Sequence, residues 1–273
     1  MLRILIALSL TIFAATAHAE IDIKQVKSPN GVNAWVVEEP SIPFIALELR
    51  FRGGASLDLP GKRGATNLMT ALLEEGSGDM SAQEFQTALE GLAASFSYRA
   101  SDDTLSISAR FLTENKVEAL ALLRQTLVDP RFDQDALDRV RAQVVSGIAS
   151  DEKDPNSIAS DVLNAAAFGD HPYGSAIDGT VESVKALTQQ DMFDAHRNTL
   201  TRDRAFVAVV GDTTAEAVGA MLDDLLGALP ADGPALPQDV AFNLPGGVTV
   251  VDYDTPQSVA LFGHAGMKRD DED

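Results

Sequence analysis

Side chains able to do chemistry are sparse in this sequence. Beyond residue 20 there are three histidines, His171, His196 and His264, and the chain has no cysteine. No two of them stand four residues apart, the spacing by which one helix face grips a metal. His171-Pro172-Tyr173-Gly174 reads as a turn anchored by its proline and packed by its tyrosine. His196, beside Arg197, reads as a surface or hydrogen-bonding residue. The lack of cysteine excludes a thiol nucleophile and thiolate ligands. In strand or helix the adjacent acids Asp102-Asp103, Asp223-Asp224 and Asp270-Asp271 point their side chains apart, so none is an acid and base couple. There is no Gly-x-Ser-x-Gly elbow and no phosphate-loop glycine spacing. Glu74-Glu75, just before Gly76, reads as a solvated helix end.

The elements around these residues follow from periodicity. Val32, Ala34 and Val36, then Ile45, Leu47 and Leu49, alternate with other residues and predict strands separated by a turn over Pro40 to Pro43. A helix is expected from Gly64 to Glu75. Its residues Leu68, Met69, Leu72 and Leu73 form an apolar stripe, with Asn67, Thr70, Ala71 and Glu74 opposite. Ser81 and Glu84 make a capping box that starts a second helix. Leu105, Ile107, Ala109 and Phe111 predict another half-buried strand. Helical patterns follow over 114–128, 133–150, 158–168 and 189–199, then an apolar strand over 204–210 and a helix over 214–229. Strands and helices come in runs, which favours an α+β domain with helices packed on a largely antiparallel sheet.

Residues 1–19 read as a signal peptide cut after Ala19. Arg3 is followed by a short apolar run and by Ala17-His18-Ala19, and the run is too short to span a bilayer. The expected location is the periplasm or otherwise outside the cytoplasm, with no membrane span in the mature chain. The formal charge of −20 becomes −21 once Arg3 is removed. So acidic a chain repels nucleic acid and anionic lipid. With 45% apolar residues and no disulfide, the mature chain must rely on a hydrophobic core.

Residues 20–230 are expected to form one domain, followed by a Pro/Gly-rich linker over 231–246. From 247 the pattern starts again: Gly247-Val248, an apolar strand and Pro256 repeat the order of Gly31-Val32, the Trp35 strand and Pro40. Residues 247–273 therefore read as the start of a second, incomplete domain.

Several short pieces fall in one characteristic order. They are Arg52-Gly53-Gly54-Ala55-Ser56, Gly64, Gly76-Ser77, Ser81 to Leu89, Asp151 to Pro155, Phe168, His171 to Gly174, Gly179 and Val209-Val210-Gly211-Asp212. In this order the chain resembles the insulinase, pitrilysin and mitochondrial processing peptidase family. In that family a helix carries H-x-x-E-H, two zinc-binding histidines and a glutamate base, and a later helix supplies a ligand glutamate. Aligned on Gly64, the resemblance puts the histidines on Asn67 and Ala71, the base on Thr70 and the later ligand on Gly147. None of these residues can do the family's chemistry, which needs a cation to acidify water and a base to take its proton.

The resemblance thus implies a domain with no catalytic residue, no metal ligand and no cofactor. In this family substrate is enclosed between two halves, of which only one needs zinc. The expectation is a non-catalytic partner of a periplasmic zinc peptidase of the same family, forming a heterodimer that encloses and binds peptides. The alternatives are a stand-alone periplasmic peptide-binding or structural module and a truncated remnant.

Overall fold

A computed structural model describes residues 21–267; the leader expected over 1–19, and residues 268–273, lie outside the described residues. The alternating segments form strands, β1 (Lys24–Lys27), β2 (Asn33–Glu38), β3 (Phe44–Arg52), β4 (Gly76–Ser77), β5 (Met80–Ser81), β6 (Ser95–Ala100), β7 (Thr104–Leu112) and β8 (Ala205–Gly211). β4 and β5 pair with each other, and the other six build one sheet in the order β1-β2-β8-β3-β7-β6. Neighbours in that sheet are antiparallel except β2 and β8. Period-two sequence becomes a two-faced surface. Val32, Ala34, Val36, Ile45, Leu47, Leu49, Leu105, Ile107, Ala109, Phe111, Val207 and Val209 are all buried on one face. On the other, Arg50 and Arg110 are exposed, and so are Trp35 (59%) and Phe206 (51%).

Helices cover the buried face, as the α+β expectation requires. They are α1 (Ala65–Leu72), α2 (Ala82–Gly91), α3 (Lys116–Val128), α4 (Gln134–Asp151), α5 (Pro155–Phe168), α6 (Val181–Lys185), α7 (Gln189–Thr199) and α8 (Ala215–Leu226). The start of α2 is the expected capping box: Ser81 accepts from the Glu84 N–H while the Glu84 carboxylate accepts from the Ser81 N–H. α5 opens with Pro155 at its first turn and the Asp154 carboxylate accepting two backbone N–H bonds.

Three differences from the sequence reading have physical causes. α1 stops at Leu72 because the chain tightens, with the Leu73 N–H donating to Thr70 O and the Glu75 N–H to Leu72 O, before Gly76 turns away at φ +115°. The sequence reading does not include β6, whose alternation is short and rests on Phe96, Tyr98 and Ala100 alone among serines and an arginine. Residues 247–267 form no strand. A β-strand needs a partner ladder, and among the described residues none is offered, leaving Val248 and Val250 88% and 81% exposed.

Residues 231–246 form no helix or strand, yet they cling to the body. Phe242 meets Phe168 edge-on at 5.8 Å, and the Asn243 N–H donates to Ala167 O. Among the described residues no helix is long and apolar enough to cross a membrane.

Candidate functional site

α1 and its flanks form the site, and its placement begins with Asp58. That carboxylate is almost fully buried and accepts from the Gly64 N–H (2.9 Å), the Thr66 N–H (2.8 Å) and the Thr66 hydroxyl (2.7 Å). It thereby occupies the donors at the start of α1 as a capping residue would, although it lies six residues before Gly64. Burial pushes its pKa up, against the pull of those hydrogen bonds. Gly64 is left-handed at φ +96°, and a Cβ there would lie 2.5 Å from the Asp178 carbonyl oxygen. Only glycine lets the loop carrying Asp178 come so close to α1.

The apolar stripe of α1, Leu68, Met69, Leu72 and Leu73, is wholly buried as expected. The opposite face differs from the sequence reading at Thr70 and at Glu74. Ala71 is exposed and Asn67 half-buried, but Thr70 is only 3% exposed, because its hydroxyl donates to Thr66 O at 2.7 Å and can be buried without loss. The Asn67 amide donates to Asp178 Oδ1 at 2.6 Å. Desolvation raises the pKa of Asp178, Asp151 adds to the shift and Arg63 opposes it.

α4 packs against α1, and the Arg139 guanidinium grips both oxygens of Glu75, at 2.9 and 2.5 Å. Gly147 lies exposed in α4, and a Cβ on it would meet nothing within 4 Å. A glycine with no close approach to protect only weakens its helix. Replacing Gly147 with alanine should therefore stabilise the domain by about 0.5–1 kcal/mol in a denaturant titration, and a loss of stability would expose a contact that needs the glycine.

Glu74 and Glu75 do not form the solvated helix end that the sequence suggests. Glu75 is held by Arg139. Glu74 is half-buried, accepts no hydrogen bond and has no ion pair among the described residues. Its pKa is raised by burial and by the neighbouring Glu75.

Arg63 ties the surroundings together, and no sequence pattern marks it. Its guanidinium donates to Ala55 O, Ala176 O, Pro172 O, Ser175 O and Asp102 Oδ1. His171 plays the turn role expected of it: Nδ1 accepts from the Tyr173 N–H, and the ring meets Tyr173 at 4.5 Å. The Tyr173 hydroxyl donates to Asp103 Oδ1, the largest cause of a pKa pushed up to about 12. This loop, with Arg52, Ser56 and residues 236–241, walls a cavity of about 670 Å³. His196 lies in α7 with Nε2 2.9 Å from Leu127 O, and burial lowers its pKa to about 4, which keeps the imidazole neutral near pH 7. His264 is exposed in the C-terminal segment.

These residues do not fit a zinc ion. Zinc wants three or four nitrogen, sulfur or carboxylate donors in a tetrahedron. Asn67 offers a neutral amide already bound to Asp178, the Thr70 hydroxyl points back into its own helix, and Ala71 and Gly147 have no donor. Among the described residues no group of three or more His, Asp or Glu could hold a metal.

Fold and site together define an insulinase-type domain without the metal motif. The fold superposes with a TM-score of 0.76 on the crystal structure of a peptidase M16 inactive domain from Pseudomonas fluorescens, at 28% identity over 81% of this chain and 54% of that one. The chain belongs to the insulinase family (peptidase family M16), whose model matches residues 35–181. It is 29% identical to the "Non-peptidase homolog YmxG" of Helicobacter pylori, over 84% of this chain and 53% of that protein. It is 22% identical to the beta subunit of the mitochondrial-processing peptidase of Neurospora crassa, over 81% and 47%. The chain thus spans about half the length of the relatives it matches.

Proposed function

We propose that this chain is the non-catalytic partner of an exported zinc peptidase of the same family, and that it holds extended peptide beside the face where the metal motif would stand. The observation that carries this reading is the edge strand β6. Among the described residues β6 pairs with β7 alone, so one side of its backbone keeps unpaired N–H and C=O groups. α1 packs against it. An open sheet edge takes an extended peptide by adding it as a further strand, with main-chain bonds giving affinity and alternate side chains giving selection. A fold kept intact around a face without ligands suits binding better than hydrolysis. The names of two similar proteins, a non-peptidase homolog and an inactive domain, support the same view. The signal-peptide pattern of residues 1–19 supports export to the periplasm.

The test is recovery of the tagged protein from the periplasm of its native host, with companions identified by mass spectrometry. An exported peptidase with intact H-x-x-E-H at near-equal amount is the expected result, and the isolated chain should cleave nothing when given zinc. Chelator-sensitive cleavage by the isolated chain would overturn the reading. Recovery without any peptidase would leave a solitary binding module or a remnant.

A further inference from the structure

The solvated face of a sheet is normally polar, but the face turned away from the helices keeps Trp35, Phe206 and Val210 59%, 51% and 41% exposed. The strand register gathers them. In the pairing of β2 with β8, Asn33 stands level with Phe206, Trp35 with Ala208 and Val37 with Val210, so the three large side chains share two strands about 5 Å apart. Single exposed apolar residues are ordinary, whereas a cluster that includes a tryptophan marks a surface covered in use.

Beside this cluster the strands carry the opposite of the chain's charge. Arg50 of β3 stands level with Phe206 on one side and with Ser106 of β7 on the other, and Ser106 is in turn level with Arg99 of β6. By their alternation Lys27, Arg52 and Arg110 face the same way and are exposed. The one carboxylate among the outward strand residues is Glu48, which accepts from the Ser108 hydroxyl and from Arg50 Nε at 3.3 Å. The side chains of Lys27, Arg52, Arg99 and Arg110 have no hydrogen bond or ion pair among the described residues. Five cations thus stand against one carboxylate here, in a chain with 41 Asp+Glu and 21 Lys+Arg.

That combination fits one kind of partner. Aromatic residues and arginine are enriched in protein interfaces, and tryptophan, tyrosine and arginine carry most of the energy of such contacts. The cations select for carboxylates, since charge complementarity fixes which surface docks and in what register. A bilayer or a nucleic acid also offers anions. Each extends beyond this face, however, and brings its charge against the acidic remainder of a molecule whose formal charge is −20. A protein ridge meets the face alone.

We propose that this face docks a second protein that presents an apolar ridge flanked by carboxylates. It is separate from the peptide-holding edge: Trp35 on β2 lies four strands from β6, about 19 Å away.

Trp35 is the chain's single tryptophan, so its fluorescence reports this face directly. Two tryptophan-free amphipathic helical peptides of about 18 residues, about 27 Å long and so able to cross the sheet, serve as probes. Both carry the same leucine stripe, flanked in one by glutamates and in the other by lysines. At about 0.15 M salt the glutamate peptide should shield Trp35 of the full chain from acrylamide quenching, with an affinity about tenfold above that of the lysine peptide. Arg50→Gln and Arg110→Gln in one chain should bring the two peptides within about twofold of each other. That variant should melt near the native temperature, because both side chains are exposed and only Arg50 has a partner. Lys116→Gln with Lys185→Gln makes the same change of charge on α3 and α6, which lie on the helix side, and should leave the preference intact. Equal shielding by both peptides, or none by either, would overturn the assignment. Shielding by anionic phospholipid vesicles and not by peptide would also overturn it and make the face a membrane contact. Shielding that grows as the chain alone is concentrated would overturn it in favour of a contact between copies.

Discussion

Replacing Arg63 with methionine should cost the domain about 3 kcal/mol or more, the range found when one partner of a buried charged network is deleted. The side chain is 16% exposed, and its five donor contacts reach three separate segments. Ala55 lies in the tight turn after β3, Asp102 in the turn between β6 and β7, and Pro172, Ser175 and Ala176 in the loop after α5. Methionine fills similar volume but leaves four carbonyls and a carboxylate to find other donors. Lysine should recover less than half of the loss, because an ammonium cannot present the planar fork that reaches several acceptors at once. Denaturant titration of the three proteins gives the answer. A methionine variant within about 0.5 kcal/mol of native, the scatter of ordinary surface changes, would mean that water serves these carbonyls as well as arginine does.

The second large effect is a gain. A chain carrying Asn67→His, Ala71→His and Gly147→Glu should bind about one zinc ion, where the native chain should retain none after dialysis. Each position has room, or a partner, for its new side chain. Residues 67 and 71 are four apart on one helix, and a histidine at 67 would find the Asp178 carboxylate where the asparagine amide now donates at 2.6 Å. A carboxylate behind a ligand histidine fixes its ring and raises its basicity. Ala71 is exposed, and Gly147 has open space where a side chain would begin. Adding Thr70→Glu should not restore hydrolysis, because position 70 is buried and its hydroxyl is bound within the helix. Metal content by mass spectrometry and a peptide-cleavage assay separate the two claims. A triple variant without zinc would show that the motif was aligned on the wrong residues.

Much of the fold could be read from alternation and caps. Val32, Ala34 and Val36, and the Leu105 to Phe111 series, face the core as their period requires, and α7 begins and ends at the residues its pattern indicates. What escaped is short, polar or non-local. α6 has five residues, fewer than two helical turns, so no apolar stripe can show. β6 has its polar residues on the outward face and only Phe96, Tyr98 and Ala100 inward. At the site, the buried stripe of α1 was legible, but the depth of Thr70 and Glu74 was not. Both depend on what packs over the end of the helix, and neither helical period nor residue type contains that. Arg63 was invisible for the same reason: its acceptors are mostly backbone carbonyls, some more than a hundred residues away.

The order of strands also governs when the protein can fold. β2 and β3 are consecutive in the chain yet do not touch in the sheet, because β8 lies between them and pairs with both. Ala34 is joined to Val207, a contact that closes a loop over most of the domain. Until Gly211 has been synthesised the centre of the sheet is missing, and β2 and β3 each present a bare apolar edge to the other. Such long-range closure is slow, and it leaves the growing chain aggregation-prone while it waits. A nascent chain of this topology cannot close its central sheet until nearly all of the domain has been made.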